Sequence, residues 1–165
     1  MKKLIVLVAL VLGLTLPLGS VAEGYYTYDM TGQLQKQLES NPLDRDYERD
    51  MRKSENHTTL GMAMVTGKYI KLWDKELNVI YQKLLLKLND EEKELLITSQ
   101  VGWLQYHETE QAFINKALRK GAGSFFAVQR PNAFRLRLRD RTLELMAYYH
   151  RLGGEVEFEY KGNEE

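Results

Sequence analysis

The stretch that decides the fold is residues 58–88, TTLGMAMVTGKYIKLWDKELNVIYQKLLLKL. Its apolar residues recur at steps of three and four, the spacing that places side chains on one face of an α-helix. The members of this stripe are Met62, Val65, Tyr69, Leu72, Trp73, Leu77, Ile80, Leu84 and Leu88. The stretch therefore predicts one long amphipathic helix that buries this stripe in a core.

A second helix of similar length is predicted to follow directly. Asn89 is a plausible cap, and Glu92 three residues later completes a capping box. Gly121 is placed to supply the left-handed conformation that often ends a helix. With only a two- or three-residue link, the two helices should form an antiparallel hairpin. At helical spacing, Trp73 and Trp103 are more typical of a core than of a ligand-stacking pair.

A third helix is predicted from Ser124, although residues 134–139, FRLRLR, alternate apolar and basic side chains as a strand does. A longer pattern competes with this alternation and fits helical spacing over four turns. It consists of Phe134, Leu138, Thr142, Leu145 and Tyr149. The longer pattern favours a helix that ends at Gly153-Gly154 and folds onto the hairpin.

The two ends of the chain carry weaker patterns. Residues 23–57 are polar and predict one or two short helices or a mobile arm. Residues 155–160 alternate Glu with Val, Phe and Tyr, which fits a short edge strand or, preferably, a frayed tail. The predicted fold is all-α, an antiparallel bundle of three main helices within residues 58–152, with a short helical or mobile N-terminal arm and a C-terminal tail over 153–165.

The first 22 residues resemble a cleavable export signal. Lys2 and Lys3 precede an apolar run over residues 4–16, and Ser20-Val21-Ala22 offers the small residues that signal peptidase accepts. The run is shorter than the ~20 apolar residues that span a bilayer, which argues against an uncleaved anchor. We expect cleavage after Ala22 and a periplasmic or secreted protein with no membrane span after signal removal.

The composition narrows the possible partners. The chain has 23 basic and 23 acidic side chains and no cysteine. This balance gives no electrostatic case for nucleic acid. Without cysteine there is neither a lipid-anchor site nor a disulfide, so the domain has to be held together by its apolar core.

Motifs in the three predicted helices resemble one known family, the LprI-like lysozyme-inhibitor domain family. In the first helix an acidic residue is followed by Leu-Asn three and four positions later and then by Tyr. These residues are Asp74, Leu77, Asn78 and Tyr81.

The resemblance continues, in order, through the other two helices. Gln100-Val101-Gly102-Trp103 resembles the family's Gln-x-x-Trp, Gly123-Ser124 resembles its Gly-Gly-Ser loop, and Arg141-Thr142 with Leu145 resembles its closing Arg-Thr-x-x-Leu. We interpret the helical motif residues as structural. They are Trp73, Asp74, Leu77, Asn78, Tyr81, Gln100, Trp103, Arg141 and Thr142.

The resemblance implies an exported helical domain, with lysozyme inhibition as the activity of at least one member. The sequence departs from the family's pattern in two respects. Val65, Gln111 and Ala133 stand where the family usually carries cysteines, and His107-Glu108 stands where it has Arg-Asp.

The residue inventory argues against an enzyme. His107-Glu108-Thr109-Glu110-Gln111 resembles the start of a zinc motif, but Gln111 replaces the second histidine that the motif needs. The sequence contains no G-x-S-x-G elbow and no phosphate-binding loop. We therefore expect no catalytic site, no bound metal and no cofactor.

Two non-catalytic functions remain open, an inhibitor of a lysozyme-type muramidase and a cell-envelope interaction or assembly module. An inhibitor has to occlude a cleft that works with two carboxylates. The loop between the second and third helices has suitable cations, glycines and a hydroxyl, in Arg119, Lys120, Gly121, Gly123 and Ser124. The alternative for this loop is a helix end followed by a helix cap.

A second basic group lies in the third helix, at Arg130, Arg135, Arg137, Arg139 and Arg141. Around a helix axis these positions do not form a single stripe. We expect salt bridges to acidic residues of the second helix, with a partner surface as the alternative.

The signal-peptide prediction is tested by N-terminal sequencing of the protein recovered from the periplasm. We expect the sequence to begin at Glu23, because Ser20-Val21-Ala22 fits the cleavage site. An intact Met1 in the membrane fraction would contradict it.

Overall fold

The computed structural model describes residues 32–119, 123 and 126–162. The predicted signal peptide and residues 23–31 lie outside this part. So do Lys120, Gly121, Ala122, Ser124 and Phe125 of the predicted loop, and residues 163–165.

The described chain consists of five α-helices, one 3₁₀ turn and an extended C-terminal segment, and it contains no strand. The helices are α1 (Gly32–Glu39), α2 (Pro42–Arg52), α3 (Thr59–Leu85), α4 (Asp90–Ala117) and α5 (Phe126–Arg151), and the turn is Ser54–Asn56. The predicted all-α class with three long helices is confirmed. No helix in the described part is both long enough and apolar enough to cross a bilayer.

The helix starts follow from local side-chain chemistry. The Asn89 Oδ1 atom accepts the Glu92 N–H at 3.0 Å, and the Glu92 carboxylate accepts the Asn89 N–H at 2.9 Å. This is the predicted capping box. Asn41 caps α2 in the same way, accepting the Asp44 N–H at 2.8 Å, with Pro42 at the first helical position.

The three long helices alternate in direction, and α5 is the main packing partner of α3. Near the N-terminal ends of both helices, the Tyr47 hydroxyl contacts Thr66 and Asn132. Near their C-terminal ends, the Lys87 ammonium lies 5.7 Å from the centre of the Tyr149 ring. These contacts show that α3 and α5 run parallel, and α4 runs antiparallel to both.

The core lies along α3 and draws residues from both ends of the chain. Trp73 and Tyr69 are fully buried, as are Leu38 of α1 and Leu43 of α2. Of the two alternatives for the N-terminal arm, residues 32–52 therefore form the short helices and pack into the core rather than forming a mobile arm.

The extended segment 155–160 also belongs to the core. Val156 and Phe158 are buried, and the Phe158 ring meets Trp73 edge-on with the ring centres 6.2 Å apart. The buried Glu76 carboxylate accepts the backbone N–H groups of Glu159 and Tyr160 at 3.1 and 2.7 Å.

The expectation of a frayed tail is therefore wrong for these residues. Their pairing partner is the Glu76 side chain rather than another strand, so the edge-strand alternative is wrong as well. The turn into this segment uses Gly153 at φ 72°, and its N–H donates to the His150 carbonyl at 2.9 Å.

The packing of the C-terminal segment is tested by Phe158→Ala. We expect this change to lower the free energy of unfolding by roughly 3–5 kcal/mol, the range for truncating a buried aromatic side chain. The control is Leu86→Ala, because Leu86 is 86% exposed. Chemical denaturation measures both, and equal effects would contradict the burial of the segment.

Candidate functional site

The candidate site is the connection between α4 and α5. α4 ends at Ala117 and α5 begins at Phe126, and between them Arg119 and Gly123 are exposed. The other predicted loop residues, Lys120, Gly121 and Ser124, lie outside the described residues. The geometry of the site therefore rests on how α4 and α5 are held together.

Three arginines of α5 bind α4 through polar, uncharged groups. Arg141 donates from Nε to Gln100 Oε1 at 3.0 Å and from Nη2 to Ser99 Oγ at 3.2 Å. One end of the interface is thereby fixed by a buried arginine and a buried amide.

The same pattern repeats toward the loop. Arg137 donates to Gln111 Oε1 at 2.8 Å, and Arg130 donates to Asn115 Oδ1 at 3.1 Å. We refer to the bonds from Arg130, Arg137 and Arg141 to α4 as the arginine ladder. The ladder holds the end of α4 that carries Arg119.

The expected salt bridges from these arginines to acidic residues of α4 are wrong. In the described residues the carboxylate partners lie elsewhere. Asp44 of α2 binds Arg135 and Arg139, and Glu144 binds Arg141 within α5. The reason is that the acidic side chains of α4 lie mainly at its exposed N-terminal turn, whereas amides face α5.

His107 lies in the middle of the ladder. Its ring is stacked on Trp103 with the ring centres 4.8 Å apart, and the Phe134 ring lies tilted against it at 4.2 Å. Its Nδ1 atom accepts from Arg137 Nε at 3.4 Å. Burial lowers the pKa of His107 below its ordinary value, and the nearby Arg137 charge lowers it further. The ring is therefore held neutral and serves as an aromatic spacer between α4 and α5.

The structural residues assigned from the sequence fall into two groups. Trp73 and Leu77 are buried on α3, and Thr142 is buried on α5, where its hydroxyl donates to the Leu138 carbonyl at 2.7 Å. Gln100 and Arg141 meet in the ladder, and Trp103 is half-buried against His107.

The remaining assigned residues are less enclosed. Asn78 donates to the Asp74 carbonyl at 2.8 Å on the exposed side of α3. Tyr81 is half-buried.

A second polar cluster joins α2 to α3, away from the loop. Burial opposes ionisation of Asp50, but hydrogen bonds from Lys68, Tyr69 and Lys53 outweigh it and lower the Asp50 pKa to about 2. Each of its partners is a neighbouring side chain, so the cluster stabilises the packing of α2. Among the described residues, no three His, Cys, Asp or Glu side chains are grouped to hold a metal ion.

A groove on the surface lies beside the chain that follows α5. It has a volume of about 890 Å³ and runs between α1 and residues 153–157, with His150 as its one imidazole. Its other polar walls are amides, one hydroxyl and exposed charges, and Leu34 and Val156 add apolar surface. The polar residues are Gln33, Lys36, Gln37, Ser40, Glu155 and Glu157. A nucleophile paired with a base, as acyl transfer requires, is not found along it.

Sequence comparison places these features in a known family. Residues 50–145 match the family model described as lysozyme inhibitor LprI, which is more than half of the chain. The chain belongs to the LprI family. The matched region runs from the end of α2 into α5, so it contains the whole arginine ladder and the loop. No curated protein and no solved structure is detectably similar to the chain.

One departure from the family's cysteine pattern has a structural counterpart. Gln111, where the family usually carries a cysteine, accepts the hydrogen bond from Arg137. A reversible polar contact between α4 and α5 therefore occupies this position.

The neutral state of His107 makes the α4–α5 interface sensitive to acid. Because its pKa is lower in the folded state, the unfolded chain binds more protons as the pH falls through about 6.5, and stability decreases. We expect the melting temperature to fall between about pH 7.5 and pH 5.5 by more in the wild type than in His107→Gln. Equal decreases in calorimetry would contradict this role.

Proposed function

We propose that this LprI-family chain is exported and inhibits a lysozyme-type muramidase by occluding its cleft. The observation that carries the proposal is the family match, which spans the α4–α5 connection. The predicted export signal in residues 1–22 supports it, because a muramidase acts outside the cytoplasm.

The loop chemistry suits the cleft of such an enzyme. Glycoside hydrolysis uses two carboxyl groups that flank the scissile bond. Arg119 is exposed at the end of α4, and Lys120 follows it in the sequence. Cations that enter the cleft would pair with these carboxylates, and Gly121 and Gly123 would allow the backbone to approach closely.

The proposed mode of action is binding without chemistry. The arginine ladder joins the two helices that flank the loop, since Arg130 and Arg137 of α5 bind Asn115 and Gln111 of α4. Helices that are held together before binding lose little conformational freedom on binding, which favours affinity.

A non-catalytic cell-envelope interaction or assembly module is the second candidate. It is favoured by the apolar side chains that α4 leaves exposed, since large exposed apolar patches mark interaction sites. Such a module would bind an envelope protein without inhibiting a muramidase.

The proposal is tested by the loss of turbidity of cell-wall suspensions treated with a chicken-type or goose-type lysozyme. We expect the purified mature protein to slow the clearing. Arg119→Ala combined with Lys120→Ala should raise the concentration needed for half-inhibition at least about tenfold, since desolvated charge pairs at an interface lose several kcal/mol on truncation.

The matched control is Lys71→Ala combined with Lys75→Ala, which removes the same charge from exposed positions in the middle of α3. It should inhibit like the wild type, and circular dichroism should be unchanged in both variants. If the wild type inhibits neither enzyme, the module takes precedence. If the loop variant inhibits fully, cleft occlusion by this loop is contradicted.

A further inference from the structure

α4 is far less enclosed than the other long helices. Only Leu96, Gln100 and His107 are buried along its 28 residues. Six large apolar or aromatic residues between its ends are exposed, at Leu95, Ile97, Val101, Leu104, Tyr106 and Phe113. These six residues therefore lie outside the buried core.

Three of these residues form a continuous stripe. Ile97, Val101 and Leu104 are 45%, 58% and 45% exposed and follow the i, i+4, i+7 spacing of one helix face. This is the anchor spacing with which a helix enters an apolar groove of a partner. At 1.5 Å per residue, the anchors span about 10 Å.

Carboxylates bracket the stripe on both sides along the helix. Glu94 precedes Ile97 by three residues, and Glu108 follows Leu104 by four. Both are exposed, and neither forms a side-chain hydrogen bond or salt bridge within residues 32–119, 123 and 126–162. A complementary partner therefore has an apolar groove with basic side chains at both ends.

The stripe and the proposed inhibitory loop are connected by the C-terminal half of α4. This helix continues from the stripe to Ala117, and Arg119 follows two residues after that helix end. From Val101 to Ala117 the helix rises about 24 Å at 1.5 Å per residue. One partner of ordinary protein size is able to contact both the stripe and the loop.

A second copy of this chain fits the stripe poorly. An antiparallel pairing of two α4 helices centred on Val101 puts Glu94 of one copy opposite Glu108 of the other. Like charges in such a position oppose association. An enzyme that works on the anionic cell-wall polymer, in contrast, gains from a cationic surface that attracts its substrate.

We propose that the α4 stripe of Ile97, Val101 and Leu104, with Glu94 and Glu108 at its ends, is a second contact surface for the muramidase. The muramidase binds this stripe in an apolar groove that has basic side chains at both ends. This inference rests on the proposed inhibition. It adds a partner surface outside the cleft-directed loop and assigns the apolar face of α4 to binding.

The test compares two double variants of α4 in the full mature chain. Ile97→Ser with Leu104→Ser removes the outer anchors, and Leu95→Ser with Tyr106→Ser removes as many exposed residues from the opposite flank. Leu95 and Tyr106 are 67% and 55% exposed, so neither variant should change the melting curve.

We expect the stripe variant to raise the half-inhibitory concentration at least about tenfold and the flank variant to stay within about twofold, because truncated interface anchors commonly cost this much. Glu94→Gln with Glu108→Gln should slow association with the lysozyme and weaken its dependence on salt.

Three outcomes would overturn the inference. If the stripe variant inhibits as fully as the wild type, the inference is overturned and the proposed function stays in place. If the wild type self-associates in sedimentation analysis, and only the stripe variant abolishes this association while inhibition is unchanged, the stripe belongs to a dimer interface instead. A wild type that inhibits no lysozyme would overturn the proposed function and this inference together.

Discussion

The hydrogen bonds that Arg137 and Arg141 of α5 donate to Gln111 and Gln100 of α4 hold α4 against the core that α3 and α5 form. α3 and α5 pack closely and together contribute most of the core, whereas α4 buries few residues of its own. A hydrogen bond to a charged group contributes roughly 1.5–3 kcal/mol. Together with the contacts of His107, these bonds hold α4 in place while its apolar side chains stay exposed.

This arrangement suits a protein without cysteine. At position 111 a polar contact takes the place of the cysteine that the family usually carries. Such a contact is unaffected by the redox state of the compartment. It does depend on pH, because His107 lies between Arg137 and two aromatic rings and is held neutral by burial.

Most of the fold follows from the sequence, whereas the contacts of the chain ends do not. Three long apolar stripes, the Asn89 capping box and Gly153 fix the helices because each acts within a few residues. The C-terminal segment could not be placed this way, since its partner Glu76 lies 83 residues earlier. The observed partners of the α5 arginines differ from the predicted ones for a similar reason. Charge alone favoured carboxylates, but the groups that face α5 across the antiparallel pair are amides.

The candidate site was only partly accessible to sequence reasoning. The loop at Arg119 stands out by composition, whereas the sequence predictions single out neither Ile97 nor Val101. Their exposure depends on the distance between α4 and its neighbours, which no local pattern encodes. The central claim, that a muramidase contacts α4 and the adjoining loop, is tested most directly by hydrogen–deuterium exchange of the mature chain with and without lysozyme. The account predicts slower exchange over residues 94–126 and no change over 155–160; protection confined to the C-terminal segment, or none anywhere, would contradict it.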